Sequence, residues 1–330
     1  MSAAGARFSL IESAEGRDRA SFAGDVSAGL ASDPKRIPCR FLYDEVDSRL
    51  FEEICELPEY YVTRAEREIL VERADEIAGC FGRPITLAEL GSGSSTKTRL
   101  LIEAFLRRHG RLRYLPVDIS RSILEASALE LLERYGSLEI RAIVSEYAAG
   151  LHHVGAENER PKLVAWLGSN IGNLGRGEAA EFLARVRRTL APADRLLVGI
   201  DLRKPAQVLE AAYDDSRGVT ARFSLNLLER VNRELGGHFD PAAFRHRARY
   251  LEAEGRVVID LVSLGTQRVA IDDLDLELEL AEGEGIHVED SYKYSPQEIR
   301  ELAGAADLRL ERAWQDAGGR FRLNLLAPGA

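Results

Sequence analysis

The sequence predicts an α/β chain: a doubly wound, mostly parallel seven-stranded sheet, interrupted along the chain by an inserted α+β domain. Three observations carry this. From residue 64 short apolar runs alternate with helix-length segments, the rhythm of βαβ units. Between residues 203 and 290 that rhythm gives way to a long amphipathic helix and runs that alternate apolar with charged, the pattern of an antiparallel sheet wet on one face. Past residue 290 a helix and two apolar runs, "LRLERAWQ" and "RFRLNLLA", resume and suit a closing hairpin. The 330 residues fit about two domains. The boundaries implied are 64–202 plus 291–330 for the sheet domain and 1–63 plus 203–290 for the other.

Taken in order, "TRAE" (63–66) reads as a capping box opening a helix to about Cys80. "ITLAEL" (85–90) is a strand, a glycine loop follows, and a helix runs to about His109. "RYLPVDI" (113–119) is the second strand, with Ser120 placed to cap the next helix. "EIRAIVSEY" (139–147), "KLVAWLGS" (162–169) and "DRLLVGIDL" (194–202) are three more. "GVTARFSLNLLERVNREL" (218–235) has apolar residues at helical spacing. "RARYLEAE", "RVVIDLVSLGTQRVAI" and "LDLELELAE" are β-rich, and "SPQE" (295–298) is a second capping box with proline at the first helical position.

Composition narrows the function. A formal charge of −10 argues against a nucleic-acid partner, and "RHRAR" (245–249) is too short to reverse that. No run of roughly 18 apolar residues is present, and the first 20 residues lack the apolar core of a secretion signal. Cys39, Cys55 and Cys80 stand singly, as in a reducing cytoplasm. His152-His153 has no third ligand nearby in sequence, so no metal is expected.

The segment "ELGSGSSTKT" (89–98) carries the chemistry. As a phosphate-binding P-loop it fails at Thr96, where the cradle needs glycine. As a dinucleotide loop it lacks the third glycine. The remaining reading is S-adenosylmethionine: an acid ending the first strand, a glycine turn, an acid ending the second strand for the ribose hydroxyls, and an acid after the third near adenine. Glu89, Gly91 with Gly93, Asp118 and Glu146 occur in that order.

Longer stretches point further. "FLYDEVDSRLFEEICELPEYYVTRAEREIL" (41–70), "ELGSGSSTKTRLL" (89–101), "LGSNIGNL" (167–174), "AYDDSRGVTARFSLNLLERVNREL" (212–235) and "IHVEDSYKY" (286–294) together resemble the ergothioneine-pathway L-histidine Nα-methyltransferases. The resemblance implies a Rossmann-like methyltransferase domain with an inserted substrate-binding domain that closes over the amino acid. It implies transfer of three methyl groups from S-adenosylmethionine to the α-amino group of L-histidine, giving hercynine. A monomer working in the cytoplasm is expected. The resemblance places Gly91, Gly93, Lys97, Asp118, Glu146 and Gly168 at the cofactor, with Glu146 standing where the family usually has aspartate. It places Asn173 and Tyr213 at the substrate carboxylate, Glu289 and Ser291 at the imidazole, and Phe51, Tyr60, Thr220 and Ile259 along the pocket. Ile259 falls where members carry methionine, and Val288 where many carry threonine.

The residues agree on their own terms. Carboxylate and hydroxyl at i and i+2 of a strand point to one side, as a ring with two nitrogens requires. No dedicated strong base is evident, so release of the amine's proton to water through Tyr43 or Tyr60 is expected. Three alternatives stay open: a relative acting on another amino acid such as tryptophan, which Glu289 argues against; a non-catalytic protein binding S-adenosylmethionine or an amino acid; and a dehydrogenase.

Overall fold

The computed structural model describes residues 7–12, 19–42 and 45–329. Its strands are β1 (Phe8–Glu12), β2 (Thr86–Leu90), β3 (Leu112–Asp118), β4 (Leu138–Val144), β5 (Lys162–Trp166), β6 (Arg195–Asp201), β7 (Phe244–Leu251), β8 (Arg256–Ser263), β9 (Gln267–Ile271), β10 (Leu276–Leu280), β11 (Gly285–Tyr292), β12 (Leu308–Gln315) and β13 (Phe321–Pro328). Its α-helices are α1 (Arg19–Leu30), α2 (Glu45–Cys55), α3 (Val62–Gly79), α4 (Thr98–His109), α5 (Arg121–Arg134), α6 (Tyr147–Ala156), α7 (Arg176–Thr189), α8 (Ala206–Tyr213), α9 (Val219–Leu235) and α10 (Pro296–Ala305). The chain divides into a first unit, 1–16 with 64–202 and 294–330, and a second, 17–63 with 203–293.

The first unit is built on one eight-stranded sheet in the order β1-β4-β3-β2-β5-β6-β13-β12. β1 to β6 run parallel; β13 is antiparallel to β6, and β12 to β13. The seven expected strands are all present, and β1 adds an eighth. Sequence pattern placed residues 1–63 with the second domain, but Phe8–Glu12 pairs with Ile140–Val144. Five residues at an edge are too few to show a period, so their partner is legible only in the fold. β2 and β5 are buried at every position, as strands covered on both faces must be.

Helix ends follow the capping rules in one case and depart from them in another. At α10 the Ser295 hydroxyl accepts the Glu298 N–H at 3.2 Å, and Glu298 accepts the Ser295 N–H at 2.6 Å. This is the capping box expected. "TRAE" does not form one. α3 begins at Val62, the Thr63 hydroxyl donates to the Cys55 sulfur at 3.2 Å, and Glu66 is used elsewhere. Ser120 takes the N-cap position of α5, but its side chain accepts no capping bond.

The second unit holds a three-stranded antiparallel sheet, β11-β8-β7, and a separate ladder, β10-β9. α9 is amphipathic and packs against α2 and β7. Asp215 fixes its entry, accepting the N–H groups of Arg217, Val219 and Thr220 at 3.0, 3.0 and 2.7 Å. Burial opposes the Asp215 charge, yet these donors hold its carboxyl below the ordinary value.

Candidate active site

In the first unit the candidate residues lie at the carboxyl ends of the parallel strands, on either side of β2. There β3 adjoins one edge of β2 and β5 the other, the switch point at which open α/β sheets bind ligands. The loop after β2 turns on Gly91 and Gly93, at φ +73° and +48°, where a side chain is disfavoured. The Gly91 N–H donates to the Val117 carbonyl at 2.8 Å. A Cβ at Gly91 would lie 2.6 Å from the Tyr147 hydroxyl, whereas one at Gly93 would meet nothing within 4 Å.

Asp118, at the end of β3, is fixed by two backbone donors: Gly93 N–H to Oδ2 at 2.9 Å and Ser120 N–H to Oδ1 at 2.9 Å. An ionised carboxylate has about four lone-pair sites, so acceptor capacity remains for a ribose diol. Glu146 occupies the N-cap of α6, exposed, two residues past β4. Gly91, Gly93 and Asp118 are thus drawn into one turn, with Glu146 on the next strand's loop.

Lys97 and Gly168 are joined through a residue that sequence reasoning gave another task. Glu66 is 0% exposed; it accepts the Gly168 N–H at 2.9 and 3.0 Å and pairs with the Lys97 ammonium. A buried carboxylate needs such partners. This clip ties the loop after β2 to the loop after β5. Gly168 has φ +77° and is followed by Ser169 at φ +60°, whose hydroxyl accepts the Asp201 N–H at 3.0 Å. Asn173 ends the 3-10 turn that follows, half-buried.

Glu89, expected among the ligand-facing acids, is turned into the protein. Thr98 and Tyr114 both donate to its carboxylate, and Ser95 Oγ lies 3.0 Å from the Tyr114 oxygen. Burial pushes the Glu89 carboxyl up to about 7, with those donors opposing. Its work is to lock β2, β3 and the start of α4 together. His152 and His153 sit within helix α6 rather than on a strand or loop. Among the described residues no group of three or more His, Cys, Asp or Glu side chains could hold a metal ion.

The second unit brings most of the substrate candidates together. The Tyr213 and Ser291 hydroxyls are 2.9 Å apart. Tyr60 meets the Tyr213 ring edge-on, centroids 6.1 Å apart, and Phe51 meets Tyr60 at 6.3 Å. Phe51 also packs on Phe223, one helical turn beyond Thr220. In the β11–β8 ladder Glu289 lies opposite Ile259. Between His287 and Glu289 the register shifts, leaving Val288 as a buried bulge residue; bulges re-aim the side chains beside them. Glu289 is half-buried. Burial pushes its carboxyl up to about 7, and the charge of Lys293 is the largest influence pulling it back. Tyr43 lies outside the described residues.

Two groups of this cluster were missed from sequence. Lys293 is 0% exposed and donates to Tyr213 Oη at 2.7 Å and Ser291 Oγ at 2.9 Å. It was foreshadowed: Glu289, Ser291 and Lys293 follow at i, i+2 and i+4. His246 is buried and donates from Nε2 to the Tyr213 carbonyl at 2.7 Å, and nothing in "RHRAR" signals that.

Residues 22–328 match the family described as histidine-specific methyltransferase, SAM-dependent. The chain belongs to this family. The histidine N-alpha-methyltransferase of Mycobacterium tuberculosis (strain CDC 1551 / Oshkosh) is 43% identical, across 92% of this chain and 94% of that protein. Its namesake from Mycolicibacterium smegmatis is 41% identical, across 91% and 93%. Ergothioneine biosynthesis protein 1 of Neurospora crassa is 32% identical across 89% of this chain, which matches 33% of the fungal protein. The methyl donor is therefore S-adenosylmethionine. The turn fits it: positive φ at Gly91 and Gly93, open space over Gly93, and a fixed carboxylate at Asp118.

Proposed function

We propose that this methyltransferase acts on the α-amino nitrogen of L-histidine, adding three methyl groups in succession to give hercynine. The observation that carries the reading is on β11. A half-buried carboxylate, Glu289, and a buried hydroxyl, Ser291, lie two residues apart in a unit whose neighbouring walls are Phe51, Tyr60 and Tyr213. An imidazole has one N–H to give and one nitrogen to accept. Glu289 takes the first and Ser291 serves the second.

We assign ribose binding to Asp118, adenine to Glu146, and the close backbone approach to Gly91, Gly93 and Gly168. Lys97 contributes its charge from a position held by Glu66. Asn173 and Tyr213 are assigned to the substrate carboxylate, and Thr220 and Ile259 to the pocket walls. S-adenosylmethionine supplies a methyl group already activated on a sulfonium. The protein's part is to hold a neutral amine in line with it and exclude water, an effect worth roughly 7–11 kcal/mol. The amine loses its proton before each transfer, through the hydroxyl of Tyr60 or Tyr43 to water. Aromatic faces tolerate the growing, finally permanent cation. We further propose a monomer working in the cytoplasm, where the undisulfided thiols of Cys39, Cys55 and Cys80 suit a reducing medium.

Mass spectrometry of histidine incubated with the protein and S-adenosylmethionine tests the reading. Products one, two and three methyl groups heavier are expected. Unchanged histidine beside a methylated tryptophan would sink it.

A further inference from the structure

Lys293 is the most completely buried charge among the described residues of the second unit, and none of the roles above uses it. Its side chain is wholly enclosed, a position a lysine rarely holds without paired partners. Its ammonium lies 4.5 Å from the Tyr213 ring centroid, donates to Tyr213 Oη at 2.7 Å and donates to Ser291 Oγ at 2.9 Å. Its own backbone N–H is fixed on the Gly255 carbonyl at 2.7 Å. An ammonium has three donors and no acceptor. Both hydroxyl oxygens therefore face it with lone pairs; one hydroxyl hydrogen bridges the 2.9 Å between the two oxygens, and the other is left to donate outward.

We propose that Lys293 is a positioning and specificity residue of the histidine site: it polarises the Tyr213–Ser291 hydroxyl pair so that the pair donates its one free hydrogen to the substrate, and it balances the Glu289 carboxylate. The inference rests on the proposed action on histidine. A pocket with one negative and one positive fixed charge suits a neutral imidazole. Glu289 alone, in a site of this burial, favours its own protonated form or a cationic ring. With Lys293 present, Glu289 accepts the ring N–H as a carboxylate, and Ser291 donates to the other ring nitrogen.

Glu289 faces Asp290 and His287 on its own strand, Lys293 one residue past that strand's end, and Cys39 on the 3-10 turn Cys39–Leu42. Asp290 is itself paired with Arg256, and His287 lies between Asp290 and Asp260. Lys293 exerts the strongest lowering influence on the Glu289 carboxyl. Removing it moves that carboxyl's titration to higher pH.

The experiment measures histidine KM, the pH profile of kcat/KM for histidine, and S-adenosylmethionine Kd by calorimetry, for wild type, Lys293→Met and Lys293→Arg. In Lys293→Met, histidine KM rises roughly tenfold to a hundredfold, the scale of a lost charge-assisted hydrogen bond. The acid limb of the profile moves to higher pH, and the donor's Kd stays within about threefold of wild type. Lys293→Arg keeps the charge without the compact ammonium, so KM rises while the acid limb stays in place; it also decides the matter should the methionine variant not fold. A wild-type KM and acid limb in Lys293→Met overturns the inference, as does a limb displaced in Lys293→Arg. If wild type does not methylate histidine at all, the proposed function fails first and this inference with it.

Discussion

The two units prepare binding groups in opposite ways. In the first, the candidate groups are set by backbone: glycines at positive φ, N–H groups of Gly93 and Ser120 holding Asp118, and the Gly168 N–H held by Glu66. In the second they are set by side chains on side chains: Lys293 on Tyr213 and Ser291, Tyr60 on Tyr213, Phe51 on Tyr60. A group fixed by backbone keeps its place when a neighbouring side chain changes. A side-chain network recognises one ligand and changes character when one member changes.

The largest test of that contrast is Glu289. A site built to hydrogen-bond its substrate rejects an analogue lacking the partner by about 10⁴-fold or more. Wild type should therefore prefer histidine over phenylalanine by about that ratio in an equimolar competition read by mass. Glu289→Leu should collapse the ratio while leaving the donor's Kd unchanged. A wild-type ratio near unity would put recognition somewhere other than the side-chain network.

Next comes the backbone turn. Gly91→Ala forces a side chain into φ +73° against the Tyr147 hydroxyl and should weaken S-adenosylmethionine binding by about 3 kcal/mol. Gly93→Ala meets open space and should cost about 1 kcal/mol. Calorimetry giving equal losses would mean that backbone conformation alone, without the Tyr147 contact, governs the loop. Asp118→Ala should cost about 1.5–3 kcal/mol of donor affinity per charge-assisted bond lost, with little effect on histidine KM. Asn173→Ala should do the reverse, raising histidine KM and sparing donor binding.

A smaller effect concerns stability and pH. His287 lies 3.5 Å from Asp260 and 3.4 Å from Asp290. Against the effect of burial, these carboxylates raise its imidazole from 6.5 to about 9. Since the folded value is raised, the stabilisation is fully present below pH 6.5 and is lost as pH rises through about 9. Asp260, held down to about 2 by His287 and Arg247 despite its burial, contributes above pH 3.8 and loses its contribution as pH falls through about 2. Thermal melts of His287→Gln should show a flatter decline between pH 6.5 and 9, by roughly 2 kcal/mol. A decline as steep as wild type's would remove His287 as its cause. The smallest expected change is Glu146→Asp, which should move donor affinity by less than about threefold, since one charge-assisted contact is adjusted and none is lost.

Much of the scaffold was legible because periodicity is local. Strand and helix positions followed from apolar spacing, and "SPQE" capped α10 as read because all its partners lie within four residues. "TRAE" has the same local signature and forms no box, because a buried Gly168 N–H and Lys97 compete for Glu66. Glu89 looked like a ligand acid and became a core acceptor because Tyr114 and Thr98 reach it first. The short β1 escaped notice because a five-residue edge strand declares itself only through its partner β4.

The sequence by itself determined the alternation of strands and helices, the glycine turn followed by an acid at the next strand's end, and the spacing of Glu289 and Ser291. These depend on neighbours along the chain and on the fixed periods of helix and strand. Tertiary structure alone decided which carboxylates face outward, that Lys293 enters the polar cluster, and that a bulge at Val288 precedes Glu289. The reason is physical. A charge taken from water must find its partners wherever the fold places them, and for Glu66, Glu89 and Lys293 those partners include residues tens of positions away.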